Sequence, residues 1–302
     1  MQNTVRQSFW KKVNTYKTGT LFVLPFLVLY LVFVVAPIIV AIFLSMTNYN
    51  LFQVPDFIGL KNYELLFMGD DVFITAVANT AIFAVVSGPI GLIASFLFAW
   101  IINKAPFSKL FALLFYAPSL TSSIAMSVVW MYFFSPDRYG LVNNVLFNLG
   151  LINEPILWNT DPSTILLVII VISIWMNMGS GFMVFLAGLK NTSQELREAG
   201  QIDGVRNATQ ELLYIVLPQL RPQILFGIIN AVVNAFGVFD IALVVAGLPS
   251  PDYAGHTIVA HLYDYAFIRY EMGYAAAISV VLFLFTFGIG QLAIKFLSSK
   301  EG

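Results

Sequence analysis

Residues 18–55 read TGTLFVLPFLVLYLVFVVAPIIVAIFLSMTNYNLFQVP and contain no Lys, Arg, Asp or Glu. A helix crosses the hydrocarbon of a bilayer with about 20 mostly apolar residues, so an uncharged stretch this long reads as a membrane span. Arg6, Lys11, Lys12 and Lys17 precede it. The apolar run is too long for the core of a secretion signal, so the pattern predicts a retained first helix.

Working outward, the same gap between charges recurs. Nothing charged occurs from Val72 to Asn103, from Leu110 to Pro136, from Pro162 to Leu189 or from Met272 to Ile294. The stretch from Pro222 to Pro251 is interrupted only by Asp240. Six spans follow, in an all-α integral membrane protein with both termini on one side. Composition agrees: 59% of residues are hydrophobic and 10% charged, against about 25% charged in soluble domains. Proline and glycine recur within the spans, at Pro25, Pro37, Gly88-Pro89 and Pro118, which predicts kinked helices whose freed carbonyls are satisfied by neighbours or water.

Orientation comes from Lys and Arg. Arg6, Lys11, Lys12, Lys17, Lys104, Lys109, Lys190, Arg197, Arg206, Arg221, Lys295 and Lys300 fall on one side, and only Lys61, Arg138 and Arg269 on the other. The positive-inside rule places the first set, both termini and the long loop after span four in the cytoplasm. The expected organisation is one transmembrane domain over residues 1–302: an N-terminal segment 1–18, a six-span bundle 19–297 and a tail 298–302.

Several functions are excluded or disfavoured. There is no cysteine, hence no disulfide, thiol nucleophile or thiolate metal site. Fifteen basic against sixteen acidic residues leave no basic footprint for nucleic acid. No Gly-Lys dipeptide occurs, so the phosphate-cradling loop G-x-x-x-x-G-K-[ST] is missing. An intramembrane protease needs facing aspartates, yet Asp240 is the only ionisable residue well inside a span. His256 and His261 lack the H-E-x-x-H spacing and read as solvated histidines of an outer loop, not as metal ligands.

Between spans four and five lies a polar stretch, residues 190–217, that reads as two short amphipathic helices around a turn. Thr192 with Glu195 fits a capping box, Leu196, Ala199 and Ile202 recur at helical spacing, and Asp203-Gly204 supplies a stop. Asn207 with Gln210 caps the second helix, and Pro218 and Pro222 mark the turn into the membrane. On spacing alone, this stretch reads equally as a basic loop that only sets topology.

Its residues resemble a known pattern. Glu198-Ala199-Gly200, Gly204 and Ile215-Val216-Leu217-Pro218 resemble the loop signature of the membrane subunits of binding-protein-dependent ATP-binding-cassette importers. Ile202-Asp203-Gly204 with Leu217-Pro218-Gln219-Leu220-Arg221-Pro222 is similar to the fuller form found in the sugar-type permeases. Phe57 to Tyr63, Trp175, Gly188-Leu189-Lys190, Phe239-Asp240 and Gly273 to Ser279 also fit that family. Two departures are Gly200, where Ala is usual and which predicts a looser helix, and Gly247-Leu248-Pro249 in place of a Gly-Gly-Pro turn.

The resemblance implies a permease half of an importer for a sugar or oligosaccharide, in a bacterial cytoplasmic membrane. It implies no enzymatic activity and no cofactor in this chain, with ATP and Mg bound by a partner ATPase dimer. The other implied partners are a second homologous permease, in a heterodimer, and an extracytoplasmic solute-binding protein. Glu198, Ala199, Gly200, Asp203 and Gly204 would dock the loop on the ATPase, with small residues permitting close approach and Glu198 and Arg197 fixing register. No Lys or Arg lies in the spans, which favours a neutral solute. Candidate pathway groups are Trp175, Asn177, Asn230, Asn234 and Asp240, with Phe236 as a further stacking surface. For Asp240 and Asn79, a plain hydrogen bond between helices is the favoured reading. The alternatives are an importer of glycerol phosphate or of a cation held by Asp240, and a scaffold or sensor that moves no solute.

Overall fold

The computed structural model describes residues 17–103, 105 and 108–298. Arg6, Lys11, Lys12, Lys104, Lys300 and the tail from 299 onward lie outside them. Apart from a two-residue pairing of β1 (Thr47–Asn48) with β2 (Asp56–Phe57), the described regular structure is helical.

Among the described residues, four helices are long and apolar enough to cross a membrane. They are α1, whose apolar part is Leu21–Leu44, followed by α3 (Asp71–Asn103), α7 (Pro162–Lys190) and α13 (Met272–Ser298). The short α2 (Lys61–Met68) lies between α1 and α3. Two further apolar helix pairs are sharply bent: α4 (Ser108–Leu120) meets α5 (Ser123–Phe133) at 102°, and α9 (Ala208–Gln219) meets α10 (Arg221–Phe236) at 75°. The remaining elements are α6 (Leu141–Asn148), α8 (Gln194–Ile202), α11 (Asp240–Ala246), α12 (Ile258–Ile268) and a 3-10 turn, Pro251–Tyr253.

The bends sit where proline removes a helix donor. Pro118 lies in a 3-10 turn that ends at Thr121 in extended backbone, so the uncharged run 110–136 is not one straight rod. Pro37 and Pro218 are each preceded by a wide π turn, Leu31–Val35 and Leu212–Val216. Widening gives the pyrrolidine ring room where a carbonyl four residues back would otherwise clash. The run 222–251 breaks again at Gly237–Phe239, before α11 begins at Asp240.

Helix α7 is the axis of the bundle. Half of its apolar stretch is buried, against none of α1. Asp161 caps it by accepting from the Ser163 amide at 2.9 Å, with Pro162 in the first turn. Ile165, Val168, Ile169 and Ile172 pack with Phe83 of α3 and Val238, Ile241 and Val245 beyond α10. Nearer its other end, Phe182, Phe185 and Leu189 pack with Ala99, Ile102, Val216 and Leu220.

The segment 191–220 forms a knob at one end of the bundle. At the far end, the Phe57–Tyr63 element ties down the end of α1: Asn62 Nδ2 donates to the carbonyls of Ser45 and Thr47, both at 2.9 Å, and Tyr63 Oη donates to Ser45 Oγ at 2.7 Å. The far-end lobe 134–161 is knotted by Asn143, which is fully buried. Its Nδ2 donates to the carbonyls of Ser135, Asp137 and Ile156, and its Oδ1 accepts from the Ile156 amide and Trp158 Nε1. Asn143→Leu breaks all five bonds and leaves four groups without this partner, the Asp137 carbonyl keeping the Gly140 amide, each stranded group costing about 1–3 kcal/mol. We expect this variant to open the lobe to limited proteolysis between 134 and 161 while the spans stay protected; wild-type resistance would remove Asn143 as the organiser.

Candidate functional site

Helices α3, α7 and α10 leave between them a cavity of about 380 Å³, with Ser87, Ser95, Ser173, Asn177, Ser180, Asn230 and Asn234 in its wall. A second cavity of about 510 Å³ lies toward the break before α11, lined by Ser123, Ser173, Asn177, Asn234, Phe239 and Asp240 among others. The two share Phe83, Ser173, Asn177 and Asn234, so they abut along one polar wall. Among the described residues, no Lys, Arg or His lines either one. A wall of amides and hydroxyls offers donors and acceptors to a neutral polyhydroxylated solute and no countercharge to an anion.

Sequence reasoning places four of its five pathway candidates here. Asn177, Asn230 and Asn234 are exposed in the single chain, and the last two share one face of α10. Asn230 Nδ2 also donates to the Phe226 carbonyl at 2.9 Å. Asp240 Oδ2 accepts a very short hydrogen bond from Ser123 Oγ of α5. That bond is the favoured helix-to-helix reading of Asp240, which nevertheless also faces the second cavity. Trp175 lies elsewhere, edge-on to Trp130 with centroids 5.2 Å apart and packed on the α7 core. Phe236 is buried and lines neither cavity. The residue missed is Ser173: its Oγ is buried without a hydrogen-bond partner on the wall common to both cavities. A serine among isoleucines gives no sequence signal for this.

In the knob, α8 is capped by Ser193, whose Oγ accepts from the Leu196 amide at 3.4 Å, so the cap lies one residue later than the Thr192 box. The helix stops at Asp203, and Gly204 has φ +95°, a backbone that side chains with a Cβ rarely adopt. Asn207 Oδ1 accepts from the Gln210 amide at 2.8 Å, while Gln210 Oε1 accepts from the Arg206 amide at 2.9 Å. Gly200 has a packing role in α8. A Cβ there would fall 2.4 Å from Ile215 Cδ1, so the missing side chain lets α8 press onto the π turn of α9. Arg197 turns inward, its Nε 3.7 Å from Glu211 Oε1. Glu198, Ala199, Asp203 and Gly204 are exposed, as are Leu196 at 52% and Ile202 at 88%. The knob thus presents an unpartnered face of mixed apolar and acidic character.

His256 and His261 correct a sequence expectation. They are 2% and 1% exposed, so neither is a solvated loop residue. Both pack under the segment 250–268, which folds back over the far end of α3. Asn79 joins α3 to that segment, its Nδ2 donating to the carbonyls of Tyr253 at 2.8 Å and His256 at 3.0 Å.

Comparison with known proteins agrees with this architecture. The family model for the binding-protein-dependent transport system inner membrane component matches residues 87–295. The probable ABC transporter permease protein YesP of Bacillus subtilis is 34% identical, over 87% of this chain and 85% of its own length. The arabinooligosaccharides transport system permease protein AraP of the same organism is 30% identical over 99% and 95%. Among solved structures, a chain of a bacterial ABC transporter involved in import of the acidic polysaccharide alginate superposes with a TM-score of 0.82, covering 98% of this chain and 100% of that one at 23% identity. The chain belongs to the inner membrane components of binding-protein-dependent transport systems, the permease subunits of ATP-binding-cassette importers.

Proposed function

We propose that this chain is one permease half of an importer that carries a neutral sugar or short oligosaccharide. The observation that carries the reading is the shared cavity wall of Ser173, Asn177 and Asn234 with no cationic residue lining it. The arabinooligosaccharide and other permeases among its relatives support the same solute class.

In this reading the chain is a single domain over 1–302 that crosses the bacterial cytoplasmic membrane six times, with the bent α4–α5 pair as the third span and α10 followed by α11 as the fifth. The twelve-to-three distribution of Lys and Arg supports placing both termini and the knob in the cytoplasm. The knob's exposed Glu198, Ala199, Asp203 and Gly204, with Gly200 behind them, dock on a separate ATPase dimer that binds ATP and Mg. This chain itself holds no cofactor. The open polar face supports a second, homologous permease that completes the pathway, and the far end receives a solute-loaded binding protein. ATP and the loaded binding protein then shift the balance of two conformations by differential contacts.

The test is uptake by the complete complex in vesicles, comparing neutral oligosaccharides with a uronate-bearing one and with glycerol phosphate. Neutral solutes should compete with one another and the anions should not. Asn234→Leu, which removes an amide common to both cavities, should lower uptake at least tenfold with assembly intact. Efficient uptake of the anions alone would sink the neutral-solute reading.

A further inference from the structure

At the far end, the segment 250–261 fastens three parts of the bundle. Asn79 of α3 holds the carbonyls of Tyr253 and His256, and the Ile258 amide donates to Thr80 Oγ1 at 3.1 Å. Gly255 sits against Ile165 and Ile169 of α7. Thr257 Oγ1 donates to the Val238 carbonyl at 3.0 Å, inside the break that borders the Asp240 cavity. Whatever loosens this segment therefore removes one tether on the hinge between α10 and α11.

Beneath it runs a buried chain of hydrogen bonds. His261 Nε2 lies 3.0 Å from Asp70 Oδ2, and His256 Nε2 lies 3.3 Å from His261 Nδ1. A carboxylate only accepts, so His261 carries its proton on Nε2 and accepts on Nδ1 from the Nε2–H of His256. The polarity leaves the lone pair of His256 Nδ1 buried without a partner. Asp70 is saturated already: it accepts from Tyr274 Oη at 2.7 Å, Tyr265 Oη at 3.4 Å and the Phe73 amide at 2.9 Å. The other groups around the pair are Tyr253, Asp264, Arg269 and Glu271, and Arg269 is itself bound to Asp264.

We propose that residues 250–261 form a proton-released clamp: neutral His256 holds it shut, and protonation of His256 Nδ1 expels the imidazole to water and removes this tether on the hinge beside the cavity. The sign follows from burial. Desolvation, reinforced by His261, holds His256 down at about 4, although Asp264 and Asp70 pull the other way. Burial likewise lowers His261 despite Asp70. A solvated histidine binds its proton near 6.5, so the closed clamp is favoured fully above that pH and loses ground as pH falls toward 4. Between pH 7.5 and 5 the open form gains by roughly 30-fold at most.

The chain has no cysteine, which permits a single reporter. Ser250→Cys sits in the clamp at a residue 4% exposed, and Tyr139→Cys, at 86%, serves as a reference for thiolate reactivity. In the assembled complex in nanodiscs, maleimide labelling at 250 relative to 139 should rise at least tenfold from pH 7.5 to 5, with a midpoint between about 4 and 6.5. The rise should vanish, with labelling slow throughout, when His256→Gln is added. A flat ratio in the protein with intact His256 overturns the proposal, as does a rise that persists in the His256→Gln background. Should that variant label fast at every pH, the midpoint with His256 intact decides alone. The readout is accessibility, so it stands apart from which solute is carried.

Discussion

Ile202→Glu is expected to abolish co-purification with the ATPase, weakening the association at least 100-fold. Ile202 ends α8 with 88% of its surface exposed, beside Leu196 at 52%, on a helix whose other face is pressed onto α9. Folding of the chain alone does not require an isoleucine there. A large aliphatic group set into a partner's groove contributes about 1.5–3 kcal/mol by burial, and such anchors dominate interfaces. Glutamate forfeits that gain and adds the cost of desolvating a charge. Glu198→Ala in the same assay separates docking from coupling. Glu198 makes one exposed hydrogen bond, accepting from Gln194 Nε2 at 3.0 Å. That variant should therefore assemble normally and lose binding-protein-stimulated ATP hydrolysis. Undiminished assembly with Ile202→Glu would detach the exposed face of α8 from the ATPase altogether.

Gly273→Ala is expected to be the most destabilising single change at the far end. A Cβ at 273 would lie 2.1 Å from the Thr47 carbonyl oxygen and 3.0 Å from the Tyr49 amide nitrogen, both backbone atoms that cannot rotate away. The Gly273 amide meanwhile donates to the Tyr49 carbonyl at 2.9 Å, so separating the chains to admit a methyl group also breaks that bond. Overpacking costs about 1–3 kcal/mol, and two backbone obstacles put this site at the upper end. The apparent melting temperature should fall by about 5–10 °C. The peripheral α1, none of whose apolar stretch is buried, should become the first segment released to proteolysis. An unchanged melting temperature would show that α1 and α13 are joined elsewhere.

The membrane class and the knob were legible because each is written in local sequence. Charge gaps report lipid directly, and Asp203-Gly204 and Asn207 fix helix ends through their own backbone neighbours. The bends were only half legible: Pro118 and Pro218 announce a lost donor, but not that neighbouring turns answer by tightening in one case and widening in the other. Long-range contacts hid the rest. His261 is buried by Asp70, 191 residues away in the chain, and His256 by His261. Trp175 carries the same polar handle as any pathway indole, and only Trp130 beside it places it in the core.

The exposed amides of Asn177, Asn230 and Asn234 bear on how many copies a cell can keep. Hydrocarbon offers an amide no partner, and an unsatisfied polar group inside a bilayer costs several kcal/mol, although Asn230 Nδ2 is already held by the Phe226 carbonyl. On the proposed reading, apposition of a second permease's polar wall relieves that cost. On the proposed reading, subunit stoichiometry is written into solvation: the wall that would meet cargo in the assembled transporter leaves an unpaired copy incompletely solvated.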